Sequence, residues 1–217
     1  MSVRIRQKCL AACFPPRDPL SGLVFRLAIL REDLTIEFNG QRIEEITDMD
    51  RGDHLARRLY FTRRSFVTLF AMREVLQDSG NVVQEAIESA CTKPEATIAE
   101  RLAVLRATLN KSFDAIKGCR HEAGAHLDPD VFRRVLDEHG TVWGEMQIGD
   151  TYGGNFWRLA HKAALAALLP PGTASTNEAM TAEALKVSRT MMELIKGVVP
   201  AIDHLVVAFL VKHGQWS

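Results

Sequence analysis

Leu34-Thr35-Ile36-Glu37-Phe38-Asn39-Gly40 is the stretch on which the fold turns. Its apolar residues alternate and it closes on Asn-Gly, the pattern of a strand running into a tight hairpin. Leu34 and Phe38 also extend a stripe that opens at Leu23, Leu27 and Leu30, at steps of three and four residues. That stripe begins well upstream and keeps one period throughout, so the segment is expected to be helical, with a hairpin over 34–46 as the alternative.

Outward from this point the same period recurs. Upstream, Asp18-Pro19 supplies a helix cap followed by proline at a first-turn position, where its missing N–H costs nothing. Downstream, a polar link at 47–53 leads into 54–77, where Leu55, Leu59, Phe66 and Phe70 share a face. Ser79-Gly80-Asn81 interrupts it, a short helix follows to about Ala90, and Thr92-Lys93-Pro94-Glu95 has the spacing of a capping box. The helix so opened carries Leu102, Leu105, Leu109, Phe113 and Ile116 on one face. A further helix is expected from Pro129 to Glu138, stopped by Gly140. Five glycines between Gly140 and Asn155 mark a loop, and an apolar helix is expected from Phe156 to Leu169, ended by Pro170-Pro171-Gly172. Leu185, Met191, Met192, Ile195, Val199, Ile202, Val206 and Phe209 then give a last long helix, with a kink expected at Pro200. The expected fold is an all-α bundle of about six or seven helices.

Composition narrows the function classes. Twenty-seven basic and twenty-seven acidic residues leave no net charge, so no global field marks a nucleic-acid or membrane-surface binder. Cys9, Cys13, Cys91 and Cys119 lack the paired spacing of a zinc ribbon, and no secretory signal is read ahead of them, which makes the cytoplasm the expected compartment. The most apolar stretch, Val198 to Val211, is interrupted by Pro200, Asp203 and His204. It falls short of the roughly 18 unbroken apolar residues of a membrane span and reads as a buried helix, so no membrane association is expected. The glycines at 149–154 follow no hydrophobic strand and match neither a P-loop nor a dinucleotide fingerprint.

Reactive side chains gather in one place, Arg120-His121-Glu122-Ala123-Gly124-Ala125-His126, where they interrupt the central helix pattern. His121 and His126 are five apart and so would be turned by roughly 140° on a helix, which excludes the i, i+4 zinc pair of a metalloprotease. No metal or cofactor is expected; the alternative, a zinc site at Cys119, His121 and His126, has no second cysteine pair to support it. A second set, Arg57 and Arg64, projects together from the helix over 54–77, with Arg58 and Arg63 flanking Tyr60 and Phe61. Such a face either pairs with acids on a neighbouring helix or contacts an RNA backbone.

Arg120 and His126, with a polar residue after the arginine and alanine before the histidine, resemble the R-x(4–6)-H motif of the HEPN superfamily. Arg133 and Arg134 also fall within the R-x(4–6)-H spacing to His139. The resemblance covers approximately residues 19–140, with the abortive-infection type the nearest form; His121 stands where members often carry Asn or Asp. It implies a HEPN-like helical bundle over 19–140 and does not account for the segment after residue 140; an N-terminal extension (1–18) and C-terminal helices packing on the bundle (141–217) complete the expected organisation. It further implies a homodimer in which the motifs of two chains meet, and a metal-independent endoribonuclease of the toxin or phage-defence kind, with an antitoxin-like protein as possible partner. Arg120, His126 and His121 would be its catalytic residues and Arg57 and Arg64 RNA contacts. The close approach allowed by Gly124 and Ala125 also points to a dimer. Two other classes stand beside it: a non-catalytic helical module binding RNA, nucleotide or protein, and a structural or regulatory helical partner whose last helix docks on another protein.

Overall fold

The computed structural model describes residues 8–41, 51–90, 92–123, 133, 135–138, 146–147, 156–157, 166–167, 169, 173–174 and 176–216. Among these the protein is all-α apart from one two-residue antiparallel ladder. Six helices are delimited: α1 (Leu10–Cys13), α2 (Ser21–Gln41), α3 (Arg51–Asp78), α4 (Gly80–Glu88), α5 (Lys93–Ala123) and α6 (Asn177–Lys212). The ladder pairs β1 (Met146–Gln147) with β2 (Phe156–Trp157), in the register Met146 opposite Trp157 and Gln147 opposite Phe156.

The deciding stretch is helical through Gln41, as its upstream stripe requires; residues 42–46 lie outside the described part. Burial shows why. A strand would put Leu34, Ile36 and Phe38 on one face, but Leu34 is fully buried while Ile36 is 62% exposed, and it is Glu37 that turns inward at 4%. Gly40 does not end this helix. It lets the α2 backbone come so close to the Phe61 ring of α3 that a Cβ at residue 40 would overlap the ring.

Local signals account for the other helix ends. Asp18 Oδ1 accepts the Leu20 N–H at 2.8 Å, and the chain turns once more before α2 opens at Ser21. The capping box at the start of α5 is reciprocal, with the Thr92 N–H donating to Glu95 Oε2 at 3.1 Å and the Glu95 N–H to Thr92 Oγ1 at 3.4 Å. Thr176 Oγ1 accepts the Ala179 N–H at 3.2 Å and so caps α6. Residues 133 and 135–138 are helical where a helix to Glu138 is expected; the rest of that segment lies outside the described residues. One expectation is corrected. Phe156 and Trp157 form β2 instead of opening a helix, because aromatic residues favour a pleated backbone and Met146–Gln147 is available as a pairing partner.

The described helices contribute to two compact units that interleave along the chain. Unit 1 comprises residues 1–33, 71–111 and 196–217; unit 2 comprises 34–70 and 112–195. The core of unit 1 combines Val24 and Leu27 of α2, Met72 and Val75 of α3, Ile98, Leu102 and Leu105 of α5, and Val198, Ile202 and Phe209 of α6. Phe14 joins it, with its ring centroid 5.0 Å from Phe25 and 6.0 Å from Phe209.

The core of unit 2 is mixed. Apolar Leu34, Phe66, Leu69 and Met191 are buried beside Glu37, Gln41, Thr62, Ser65, Thr68 and Ser188. These polar groups find one another, as buried polar groups must. Thr68 donates to Glu37 Oε1 at 2.8 Å, Gln41 Nε2 to Ser65 Oγ at 3.0 Å, and Ser65 Oγ to the Phe61 carbonyl at 3.0 Å. Arg58 Nε donates to Ser188 Oγ at 3.0 Å, joining α3 to α6 within this unit.

Candidate functional site

Two depressions in unit 1 are lined by chemically opposite residues. The first, about 260 Å³, has Asp18, Glu85 and Glu95 around an apolar floor that includes Leu20, Val82 and Ile98, with Lys212 at its side. The acid nearest the base of α2 is already engaged. Asp18 Oδ2 accepts from Lys212 Nζ at 2.7 Å and lies 3.0 Å from His213 Nε2, while its side chain is only 8% exposed. Burial pushes its pKa up, but hydrogen bonds from Lys212 and the Leu20 amide, the Lys212 charge and the His213 contact outweigh burial and leave it below the usual carboxylate value.

The second depression is an open groove of about 400 Å³ between the beginning of α5 and the C-terminal half of α6. α5 contributes Lys93, Pro94, Thr97 and Arg101; α6 contributes His204, Val207, Ala208 and Val211. Both sets follow from helical spacing. Lys93, Thr97 and Arg101 stand at i, i+4 and i+8, and His204, Val207, Ala208 and Val211 at i, i+3, i+4 and i+7. The capping box at Thr92 and Glu95 fixes where the α5 ridge begins.

Why α6 has apolar residues left for this groove follows from its length and composition. It is long and apolar enough to cross a membrane, yet its burial is one-sided. Met180, Ala184, Ser188, Met191, Ile195, Val198, Ile202, Leu205 and Phe209 form a single buried stripe at steps of three and four. Val207 and Ala208 are half-buried and Val211 is 49% exposed. Pro200 lies inside the helix without ending it.

Of the residues singled out in the sequence, those whose side chains are described, Arg57 and Arg64, line neither depression. Arg120 and His121 stand in the last turn of α5, with their side chains outside the described part; His126, Gly124 and Ala125 lie outside it altogether, as does His139. Arg57 is exposed, with its guanidinium carbon 5.9 Å from the Phe61 ring centroid. Arg64 is half-exposed, and its Nε lies 3.8 Å from Glu37 Oε1. The neighbouring-acid account of the basic face therefore describes Arg64. Arg58, read only as a flank, is the arginine of this helix bonded to α6 in unit 2. The groove was not singled out in the sequence: the second apolar set on α6, offset from the core stripe, is visible there, but its apposition to the cations of α5 is made only by packing. Among the described side chains, no group of three or more His, Cys, Asp or Glu could hold a metal. Cys9 and Cys13 are free thiols.

No family model, characterised protein or solved structure matches this chain at a significant level.

Proposed function

We propose that the chain is a non-catalytic helical binding module that takes a protein partner on the groove between α5 and α6. The observation that carries this reading is an apolar floor, Val207, Ala208 and Val211, left accessible on a helix whose other stripe is fully engaged in the core. Apolar surface in a concavity between helices fits the ridge of a third helix, with affinity coming from its removal from water. The test is a methyl NMR titration with a helical peptide presenting leucines at i, i+3, i+4 and i+7. The Val207, Ala208 and Val211 methyls are expected to shift in a saturable way while those of buried Ile202 and Leu205 stay in place. Ala208→Arg, which fills the groove without touching the core stripe, should abolish the shifts.

A second reading is a metal-independent endoribonuclease of the toxin or defence kind, working as a homodimer on RNA with Arg120, His126 and His121. It is favoured by the position of Arg120 late in a 31-residue helix, where the HEPN resemblance expects the motif. In this reading His126 moves the proton during attack of a ribose 2′-hydroxyl, and Arg120 holds the phosphate through forked cationic donors. His121 assists or orients the site, and Arg57 and Arg64 contact the backbone. Cleavage should persist in EDTA, require the 2′-hydroxyl, and fall by about 10² or more in His126→Ala. Sedimentation equilibrium should show a dimer. A monomer that leaves RNA intact eliminates this reading and leaves the binding module.

A further inference from the structure

The floor of the α5–α6 groove is apolar, but its rim is cationic and contains no acid. Lys93 and Arg101 rise from α5 on one side and His204 from α6 on the other, with no carboxylate among the lining residues. None of these three side chains has a hydrogen-bond or ion-pair partner among the described residues. Two other cations of the unit are matched by acids. Arg31 donates to both oxygens of Asp203, at 2.7 and 2.9 Å, and Lys212 is matched by Asp18. Cations are balanced by acids at those two places and left open at the groove.

We propose that the segment docking here is an amphipathic helix with acidic flanks, its apolar ridge on Val207, Ala208 and Val211 and its carboxylates on Lys93 and Arg101. This deepens the binding-module reading and rests on it. Unmatched cations beside an apolar floor favour a partner of opposite sign, through both attraction and faster encounter. Helical geometry sets the spacing. Lys93 and Arg101 are eight residues apart on one helix, so about 12 Å separates them along its axis. A partner helix lying along α5 reaches both with carboxylates two turns apart, at i and i+7 or i+8. Unit 1 contains no described strand whose edge an extended peptide could continue. A concave groove of about 400 Å³ accepts a helix ridge, whereas a flat lipid surface would leave it unfilled.

Three synthetic peptides of about five helical turns, sharing one leucine stripe and differing only in a Glu, Gln or Lys outer face, test this on the full chain. Binding is read by the groove methyls and by fluorescence anisotropy. The Glu peptide is expected to bind about tenfold more tightly than the Gln peptide, the scale of two or three half-exposed ion pairs, with the Lys peptide weakest. The preference should shrink with added salt. In the doubly reversed K93E/R101E protein the order of the peptides should invert. Lys93 is exposed and Arg101 half-buried at the groove, and circular dichroism checks that the helices are retained. Equal affinity for all three peptides overturns the acidic partner while leaving the docking face intact. Failure of every peptide to move the groove methyls overturns both, and so does a methyl response confined to vesicles of phosphatidylserine and phosphatidylcholine.

Discussion

At Gly40 a missing side chain sets the distance between two helices, since the Phe61 ring occupies the space a Cβ would need. Gly40→Ala should therefore lower stability by about 1–3 kcal/mol, the usual cost of overpacking, as read from urea denaturation. Gly197 makes the opposite case. A Cβ there meets only Thr108 Cγ2, at an ordinary 3.8 Å, so Gly197→Ala should stabilise by about 0.4–1 kcal/mol by restricting the unfolded chain. Asp18 gives a pH-dependent prediction. Its bonds to Lys212 and His213 hold its folded pKa below its unfolded value, so its stabilisation is complete above about pH 3.9 and is lost as pH falls through the lower folded value. Asp18→Asn should cost about 1–3 kcal/mol at neutral pH, a deficit that narrows in acid denaturation series. A deficit that stays constant to the lowest pH would show that the charge of Asp18 is not what matters.

At the level of elements, α6 separates a buried stripe from an accessible one. Ile202→Ala should cost about 2–5 kcal/mol, whereas Val211→Ala, on the groove side, should stay within about 0.5 kcal/mol. Comparable losses at both positions would contradict the one-sided burial of this helix. The helices themselves were legible in the sequence because three-and-four spacing survives any tertiary arrangement: α2, α3, α4 and the start of α5 fall where periodicity and the capping box place them. Phe156–Trp157 was not legible, since two aromatic residues fit a helix or a strand and only the nonlocal partner Met146–Gln147 decides between them. The groove was hidden for a related reason. Lys93 and Val211 become neighbours through packing, and no local pattern joins them. The inward turn of Glu37 was equally hidden, because its partners, Thr68 and Arg64, lie on another helix.

At the level of the whole molecule, the limits of the two units fall inside α2, α3, α5 and α6, so each of these helices continues from one unit into the other without a break in the chain. Unfolding one unit strips a covalently continuous turn from every long helix of the other. Far-ultraviolet circular dichroism and tryptophan fluorescence should consequently report one coincident urea transition, and two separated midpoints would count against it. The Asp18 contacts carry the same interleaving into the timing of synthesis. Asp18 leaves the ribosome well before its partners Lys212 and His213, which come 194 and 195 residues later. At about 5–20 residues per second, roughly 10–40 s pass between them. During that interval the apolar faces of α2, α3 and α5 in unit 1 await the strip of α6 that covers them. Until α6 has been made those faces have no cover, so co-expression of a holding chaperone should raise the soluble yield, and an unchanged yield would count against this order of assembly.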